Sequence, residues 1–304
     1  MKILNFGSLN IDHVYEVPHF PLPGETISSA RYSRFPGGKG LNQSIAMAKA
    51  GADVYHAGKL GHNSEFLLEA LKESGVNTSL LDTTGSETGQ AIIQVNPEGE
   101  NCILLYGGSN QEITTEYTDR VFAFLTEDSI LVLQNEINNL EYILGKAKER
   151  GLKIALNPSP VDERLKSMDL SGITWLLLNE IESRELSGFE EPDSSLMNLL
   201  NCYPHMKIIL TLGEKGAIYQ DKNTRYVQPA YKTRVKDTTA AGDTFTGYFI
   251  SLTASGLGIE EALDMAARAA AITISREGAG SSIPKLEEVK RYMQGKEKAV
   301  NIDM

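Results

Sequence analysis

The sequence predicts an α/β fold in which helices cover both faces of a mostly parallel sheet. Three near-continuous apolar runs are typical of strands buried on both faces: Ile130–Leu133, Trp175–Leu178 and Ile208–Leu210. Amphipathic helical patterns lie between such runs. Strands that alternate with helices indicate βαβ units, and these predict a three-layer α/β/α architecture.

The helical segments carry their own start and packing signals. Glu141 follows Asn138 by three residues, which is the spacing of a capping box, and the apolar periodicity ends near Gly151. A second helical pattern runs from Ile259 to Ile274, with small and apolar residues at three- and four-residue spacing. That spacing predicts one tightly packed face.

Two segments depart from this alternation and predict a small separate sheet. Residues 10–35 are rich in proline and aromatic residues, and residues 88–108 alternate apolar and polar side chains around a turn at Asn96–Gly99. Strands with one polar face belong in a sheet with one wet face. We therefore expect a single unit, with a β-sheet lid of about 10–35 and 88–108 on a core of about 1–9, 36–87 and 109–304.

Composition argues against several classes of function. Lys and Arg number 29 against 40 Asp and Glu, and the net charge of −11 repels nucleic-acid phosphates and anionic membranes. No apolar run approaches membrane-spanning length, the two cysteines form no CxxC pair, and the five histidines lack zinc-ligand spacing. We expect a cytoplasmic protein with no nucleic-acid or membrane partner.

The most informative functional motif is the segment Asp237–Gly247. Small residues at Ala240, Ala241 and Gly242 precede an apolar helix, and such a turn presents free N–H groups and the positive end of the helix dipole. Asp243 falls in the first turn of this helix, within reach of an anion bound there. Taken alone, the motif fits an anion site and a simple helix cap equally well.

A second glycine turn, Phe35–Ser44, also enters a helix. It is not a Walker A loop, because Ser33 replaces the first glycine and Gly40 replaces the Ser or Thr that must follow Lys39. The chain also lacks a GxGxxG motif that follows a strand, which argues against dinucleotide binding. Lys39 and Asn42 in such a turn could hold a hydroxyl-rich ligand, although helix entry alone also explains the pattern.

Together with several shorter motifs, these segments resemble the ribokinase-like carbohydrate kinase family, in the family's order and along nearly the whole chain. The motifs are Gly7–Asp12, Pro23–Thr26, Gly37–Asn42, Leu133–Glu136, Asn157–Pro160, Asn179–Glu182, Thr211–Gly216, Asp237–Asp243 and Arg276–Ala279. The resemblance implies a ribokinase-like fold and an ATP-dependent kinase of a small sugar, with D-ribose as the first-ranked substrate.

The resemblance also implies roles for individual residues. Asp243 would accept the proton of the attacking primary hydroxyl, and the backbone N–H groups of Ala240, Ala241 and Gly242 would form an anion hole. The residues that would bind the sugar are Asn10, Asp12, Gly38, Lys39, Asn42 and Glu136.

Three cofactors or co-substrates follow from the resemblance: ATP, Mg2+ and a monovalent cation, for which K+ is expected. The nucleotide-binding positions would be Asn179, Glu182, Thr211, Gly213 and Gly216, the first two near the phosphates and Mg2+. The monovalent cation would be held, mostly by backbone carbonyl groups, at Asp237, Thr239, Thr273, Arg276, Gly278 and Ser282.

Several alternatives stay open at this point. A kinase of a ketohexose or of a nucleoside would share the fold and overlapping sugar contacts, and a non-catalytic sugar sensor would share the pocket. Tyr248 and Arg268 depart from the family pattern, which leaves fine specificity undecided. Relatives pair their lids, so the resemblance also implies a homodimer joined through the lid.

Overall fold

The apolar runs become strands of two β-sheets in the computed structural model, which describes residues 1–292. The strands are β1 (Lys2–Phe6), β2 (Asn10–Glu16), β3 (Arg31–Gly37), β4 (Asp53–Ala57), β5 (Gly89–Val95), β6 (Asn101–Tyr106), β7 (Ile130–Gln134), β8 (Lys153–Asn157), β9 (Trp175–Asn179), β10 (Lys207–Thr211), β11 (Ala217–Gln220) and β12 (Arg225–Gln228). The larger sheet has the order β12-β11-β10-β9-β8-β7-β1-β4. Strands β4, β1, β7, β8, β9 and β10 run parallel, and β11 and β12 add an antiparallel edge.

Helices cover both faces of the larger sheet, which confirms the predicted three-layer architecture. The helices are α1 (Lys39–Lys49), α2 (Glu65–Glu73), α3 (Thr115–Phe124), α4 (Leu140–Glu149), α5 (Glu163–Lys166), α6 (Glu180–Ser187), α7 (Pro192–Cys202), α8 (Ala241–Ala254), α9 (Ile259–Ile274) and α10 (Leu286–Arg291). One hydrophobic cluster joins the sheet to α1, α2, α8, α9 and α10, and a second joins its other face to α3, α4 and α7. Among residues 1–292, no helix has the length and apolar character needed to cross a membrane.

The middle strands are buried on both faces, as their apolar sequences predict. In β7, Ile130 and Val132 belong to one hydrophobic cluster, whereas Leu131 and Leu133 belong to the other. A strand with both faces in a core gains little from polar side chains, which explains the continuous apolar run.

The two segments that depart from the alternation supply the strands of the second sheet, in the order β3-β2-β5-β6. The hairpin between β5 and β6 turns at the predicted position, where the N–H of Gly99 donates to the carbonyl oxygen of Asn96 (3.0 Å). Within residues 1–292, strand β6 pairs only with β5, and all six of its residues are exposed. The second sheet therefore ends in an open, largely apolar strand.

The capping box predicted at Asn138 is wrong. Helix α4 begins behind Asn139, whose φ of 58° is left-handed and whose side chain caps no amide of the helix. The side chain of Asn138 instead binds the backbone of Ile113, accepting from its N–H (2.8 Å) and donating to its carbonyl oxygen (2.9 Å). A tertiary contact thus replaces the local cap, which sequence spacing alone could not reveal.

The parallel strands bring their carboxyl ends to one edge of the larger sheet, where ligands bind in open α/β folds. The polar residues at or just beyond these ends are Ser8, Glu136, Asn157, Asn179 and Thr211. Strand order therefore gathers residues that are far apart in sequence.

Helices α1 and α8 approach closely at Gly247. A methyl group at this position would stand 2.4 Å from Cβ of Ala46 and 2.9 Å from the backbone nitrogen of Met47. Both distances are well below van der Waals contact, so a side chain here would force the helices apart. The glycine keeps the first turn of α8 beside the first turn of α1.

We expect Gly247→Ala to lower the free energy of unfolding by about 1–3 kcal/mol, because the added methyl group would overpack the contact between α1 and α8. Gly145 supplies a matched control, since it lies inside α4 and a methyl group there would meet, apart from the backbone of its own helix, no atom of residues 1–292 within 4 Å. Gly145→Ala should instead stabilise the protein by about 0.5–1 kcal/mol through helix propensity. Urea unfolding measures both values, and equal effects of the two substitutions would contradict the packing argument.

Candidate active site

The start of α8 offers backbone amides to an anion. Ala240 precedes the helix with a left-handed φ of 60°. The N–H of Ala241 donates to the carbonyl oxygen of Thr238 (3.3 Å), whereas those of Ala240, Gly242 and Asp243 have no hydrogen-bond partner within residues 1–292. Two of the three amides predicted for the anion hole are thus free, and they stand at the positive end of a helix.

Two neighbouring amides of α1 hold the buried carboxylate of Asp243. Its Oδ2 accepts from Nδ2 of Asn42 (3.1 Å), and its Oδ1 accepts from Nε2 of Gln43 (3.0 Å). The close packing of α1 and α8 therefore joins the two glycine-containing motifs at their functional residues. Gln43 has no role among those predicted from the sequence.

The turn before α1 is built around Glu136. Its carboxylate accepts hydrogen bonds from the hydroxyl of Ser8 and from the backbone N–H of Lys39 (3.1 Å). Gly38 turns the chain with a φ of 94°, which favours glycine, and leaves the side chain of Lys39 at the cleft. The turn thus brings one cation to a site that is otherwise acidic.

Strand β2 contributes Asn10 and Asp12 from the second sheet. Asn110 anchors Asn10, because its Nδ2 donates to Oδ1 of Asn10 (2.8 Å). Asp12 is only 7% exposed, and its carboxylate makes no hydrogen bond within residues 1–292. It lies against Gly37, where a methyl group would stand 2.0 Å from Oδ2 of Asp12. A buried carboxylate without a partner suits a ligand that donates hydrogen bonds.

Burial and mutual repulsion perturb the acids of this pocket. Burial, followed by the charges of Glu136 and Asp243, raises the pKa of Asp12 from its ordinary value of 3.8 to about 7. Burial also raises the pKa of Glu136, although Lys39 partly offsets the effect. Burial lowers the pKa of the Lys39 ammonium group. The charges of three neighbouring carboxylates outweigh this effect and raise the pKa overall; they belong to Asp243, Glu136 and Glu182.

A cleft of about 230 Å³ extends from this pocket along the carboxyl ends of the strands. The predicted site residues that line it are Lys39, Asn179, Glu182, Thr211, Ala240, Ala241, Gly242 and Asp243. Asn157 and Thr246 also line it, although the sequence analysis assigned neither a role. The cleft therefore joins the polar pocket to the predicted nucleotide positions.

Asn179 and Glu182 form the capping box of α6. The N–H of Glu182 donates to Oδ1 of Asn179 (2.9 Å), and the N–H and Nδ2 of Asn179 donate to the Glu182 carboxylate (both 3.0 Å). The NxxE spacing thus has a structural cause, since these four residues close the first turn of a helix. The same bonds hold the Glu182 carboxylate at the wall of the cleft.

Gly213 and Gly216 lie in the turn after β10 and do not line the cleft. Their φ angles are 56° and 105°, both in the region that favours glycine. A methyl group at Gly216 would stand 2.0 Å from the carbonyl oxygen of Gln228. The hairpin that follows is sufficient to explain Gly216, whereas Thr211 lies on the cleft wall.

Two loops meet at the residues predicted to hold a monovalent cation. The carboxylate of Asp237 accepts from the N–H groups of Thr239 (2.8 Å) and Gly278 (3.0 Å). Arg276 donates to the carbonyl oxygen of Ser282 (3.4 Å). These contacts bring both loops beside α8.

Thr273, which is also predicted to hold the monovalent cation, lies in α9. Its hydroxyl donates to the hydroxyl of Thr244 in α8 (3.1 Å), and its carbonyl oxygen accepts from the N–H of Arg276 (3.0 Å). In contrast, the carbonyl oxygens of Thr239, Arg276 and Gly278 accept no hydrogen bond within residues 1–292. Carbonyl oxygens without donors are the ligand type that a monovalent cation requires.

The two departures from the family pattern lie away from the cleft. Tyr248 is fully buried, and its hydroxyl donates to the carbonyl oxygen of Pro284 (2.7 Å). Arg268 pairs with Asp264 on the same helix and lies over the ring of Tyr231. Neither residue lines the cleft, so their effect is on packing rather than on the cleft wall.

The residues that sequence analysis missed hold the predicted ones in place. Ser8 and Gln134 belong to motifs that carry the family resemblance, and Gln43 directly follows one. Their side chains do not line the cleft but make hydrogen bonds to Glu136, Asp243 and, between Gln134 and Gln43, to each other. Asn110 belongs to no motif, and its bond to Asn10 joins residues 100 positions apart. No local signal in the sequence marks Asn110.

Comparison with known proteins gives consistent matches over nearly the whole chain. The profile of the pfkB family carbohydrate kinases matches residues 1–286. The ribokinase of Staphylococcus aureus is 36% identical over 301 residues, which cover 95% of this chain and 99% of the relative. A crystal structure of ribokinase from Cryptococcus neoformans in complex with ADP has a TM-score of 0.85 and 33% identity. The match covers 96% of this chain and 99% of the ribokinase chain. The structure of Arabidopsis thaliana ribokinase complexed with ribose and ATP has a TM-score of 0.83 and 27% identity. This match covers 96% of this chain and 98% of the Arabidopsis chain.

We expect Asp12→Asn to stabilise the unliganded protein at pH 8 but not near pH 4. A carboxyl group whose pKa rises on folding from 3.8 to about 7 makes the free energy of unfolding fall as the pH rises through this interval. The variant has no carboxyl group here and therefore does not lose this stability. Its free energy of unfolding should exceed that of the wild type by up to about 4 kcal/mol above pH 7. Urea unfolding across this pH range measures the difference, and a constant difference would contradict the shifted pKa.

Proposed function

The chain belongs to the pfkB family of carbohydrate kinases, and from that premise we propose that it transfers the γ-phosphoryl group of ATP to the primary hydroxyl of D-ribose. It is therefore a phosphotransferase with an alcohol acceptor. The observation that carries the proposal is the position of Asp243, between a polar pocket and the free amides at the start of α8. The full-length similarity to ribokinases, one of them solved with ribose and ATP, favours ribose over other sugars.

Asp243 would act as the base that accepts the proton of the attacking hydroxyl. Asn42 and Gln43 fix both of its oxygens, and each oxygen keeps lone-pair capacity for a further donor. Phosphoryl transfer has a loose transition state, so orientation of the hydroxyl accounts for much of the expected effect. The amides of Ala240 and Gly242 would stabilise the charge on the transferring group.

The polar pocket would hold the sugar. Hydroxyl groups donate and accept, and the pocket offers acceptors at Asp12 and Glu136 and amides at Asn10 and Asn42. Gly38 would allow close approach of the sugar to the backbone, and Lys39 would reach from this pocket toward the transferring phosphoryl group. A sugar that donates to Asp12 would also supply the hydrogen bond that its buried carboxylate lacks.

The cleft would hold ATP with its phosphates toward α8. Thr211 lies on the wall of the cleft, and Gly213 and Gly216 shape the turn behind it. Mg2+ would be held through water near Asn179 and Glu182, since a carboxylate and an amide fit the oxygen donors that Mg2+ prefers. When bound, Mg2+ supplies charge neutralisation for the phosphates.

A monovalent cation would be held where Asp237 joins the two loops beside α8. The carbonyl oxygens of Thr239, Arg276 and Gly278 would supply ligands, with Thr273 and Ser282 completing the site. The cation would stiffen the loop that leads into the anion hole, because Asp237 lies three residues before Ala240.

The second sheet would act as a lid and join two copies of the chain. Its face that carries Asp12 continues through Ala91 and Ile93 to Ile103, which is 52% exposed. A partner sheet on this face would cover the open apolar strand β6 and close over the sugar pocket.

We expect the wild-type protein to phosphorylate D-ribose with ATP and Mg2+ faster than ketohexoses or nucleosides, with ribose 5-phosphate as the product. Asp243→Asn should lower kcat by about 10² to 10⁴, while ribose still binds, because a positioned base contributes this range. Coupled ADP release measures turnover, and calorimetry measures ribose binding.

Asp128→Asn is the matched control for this substitution, because Asp128 is an exposed residue in the turn before β7. Its turnover should equal that of the wild type. A preference for a nucleoside or ketohexose would overturn the ribose assignment, and a kcat of Asp243→Asn within about tenfold of the wild type would exclude the proposed base.

We expect K+ to support faster turnover than Na+ or choline at fixed Mg2+ and ATP, because the carbonyl ligands around Asp237 suit a large, weakly hydrated cation. Asp237→Ala should weaken the response, since it removes the side chain that ties the two loops together. Initial rates across a titration of each salt provide the measurement. Equal rates in all three salts would argue against the cation site but not against the kinase.

We expect Ile93→Glu to weaken both self-association and ribose affinity, because it places a charge on the sheet face that carries Asp12. Ile92→Glu is the matched control, as Ile92 lies on the opposite face of the same strand. Light scattering at micromolar concentration gives the mass. A wild-type mass near 33.3 kDa rather than twice that value would reject the lid dimer.

A further inference from the structure

A row of three buried amide side chains lies behind Asp243. Nε2 of Gln43 donates to Oδ1 of Asp243 (3.0 Å), and Oε1 of Gln43 accepts from Nε2 of Gln134 (2.7 Å). Nε2 of Gln134 also donates to Oδ1 of Asn5 (2.9 Å). All three amides have no solvent exposure, so water cannot substitute for any of these partners.

The far end of the row fixes the orientation of every amide in it. Nδ2 of Asn5 donates to the backbone carbonyl oxygen of Gly40 (2.6 Å), and a carbonyl oxygen can only accept. The oxygen of Asn5 must therefore face Gln134, which then directs its NH2 group toward Gln43. Gln43 in turn directs its NH2 group toward Asp243.

A reversed Gln43 would lose both of its hydrogen bonds. Its oxygen would face the carboxylate of Asp243, and its NH2 group would face the NH2 group of Gln134. Unmade hydrogen bonds are costly in a buried site, because no solvent compensates them. The row ends at the carbonyl oxygen of Gly40 on one side and at the carboxylate of Asp243 on the other. Both groups can only accept hydrogen bonds, so they fix a single orientation of the Gln43 amide.

The two donors to Asp243 differ in their exposure to ligand. Asn42 belongs to the residues proposed to bind the sugar, and its Oδ1 has no hydrogen-bond partner within residues 1–292. A sugar hydroxyl that donates to Oδ1 of Asn42 would supply this missing hydrogen bond. Gln43 lies wholly inside the core, with both ends of its amide occupied, so it keeps its place.

We propose that Gln43 is a positioning residue for phosphoryl transfer, which fixes the plane of the Asp243 carboxylate through an amide row that runs back to Gly40. The proposal rests on the proposed role of Asp243 as the base. Gln43 bonds to Oδ1 and Asn42 to Oδ2, so each carboxylate oxygen keeps a second lone pair that could accept from the attacking hydroxyl. Gln134 and Asn5 act through Gln43 and touch neither substrate.

A side branch of the row supplies a control. Ser44 accepts from Nδ2 of Asn5 (2.8 Å), and its hydroxyl lies 2.7 Å from Nδ1 of His56. Burial lowers the pKa of His56 to about 4, so the ring is neutral and Nδ1 can accept from Ser44. Loss of this branch would leave the bond from Asn5 to Gly40 intact, and with it the orientation of the row.

The test compares Gln43→Met, Gln134→Met and the control Ser44→Ala. Methionine approximates the volume of glutamine but offers no amide. Gln43→Met should lower kcat by about 10- to 100-fold, since small misplacement of a reacting group has effects of this size, with KM for ribose and ATP little changed. Gln134→Met should lower kcat less, and Ser44→Ala should retain the wild-type kcat.

Two comparisons separate positioning from general damage. In an Asp243→Asn background, Gln43→Met should have no further effect on kcat, because its target is already lost. Independent losses that multiply, a rise in KM without a fall in kcat, or an equal loss in Ser44→Ala would overturn the proposal. Urea unfolding of each variant shows whether it is folded, and Gln134→Met keeps the test valid if Gln43→Met does not fold.

A readout that needs no turnover distinguishes this proposal from the proposed function. Side-chain amide protons of Gln43, observed by 15N NMR, should exchange slowly with solvent in the wild type and faster in Gln134→Met. Rapid exchange in the wild type would overturn the amide row whatever the protein phosphorylates. If the amide protons exchange slowly but the protein phosphorylates no sugar, the amide row would be supported. The proposed function would then be wrong, and so would the positioning role of Gln43.

Discussion

The close contact between α1 and α8 sets the geometry of the candidate active site. Gly247 lets the two helices approach until only a hydrogen fits between them. At that distance the first turn of α8 brings Asp243 to Asn42 and Gln43, and no other element of the described chain bonds to its side chain. The anion site of one helix and the polar turn of the other thus become one surface.

This arrangement brings several carboxylates close together, which is unfavourable for the stability of the folded protein. Asp12 is buried and Glu136 is partly buried, both carboxyl groups have raised pKa values, and the ammonium group of Lys39 interacts with their charges. Burial of the Asp12 carboxylate without a hydrogen bond costs stability, which fits the proposed role of this pocket as a binding site. A bound polyhydroxylated ligand would supply the missing donors.

Some motif residues have a structural cause as well as a proposed chemical one. Asn179 and Glu182 close the first turn of α6, and the same bonds set the Glu182 carboxylate at the wall of the cleft. Gly216 permits the hairpin that follows β10, where a side chain would meet Gln228. In this fold the turn chemistry at the ends of parallel strands and the ligand surface are built from the same residues.

Elements whose signals are local could be predicted from the order of the amino acids. Apolar runs such as Ile130–Leu133 became buried strands, and the motif at Asp243 became a helix start, because period, length and turn residues act over a few positions. Contacts between distant segments could not be predicted in this way and depend on the folded chain. Asn138 binds Ile113 instead of capping α4, Asn110 anchors Asn10, and Gln43 reaches Asp243 from the other end of the chain. Hydrogen-bond partners of buried polar groups are chosen by packing of the whole chain, which no local pattern encodes.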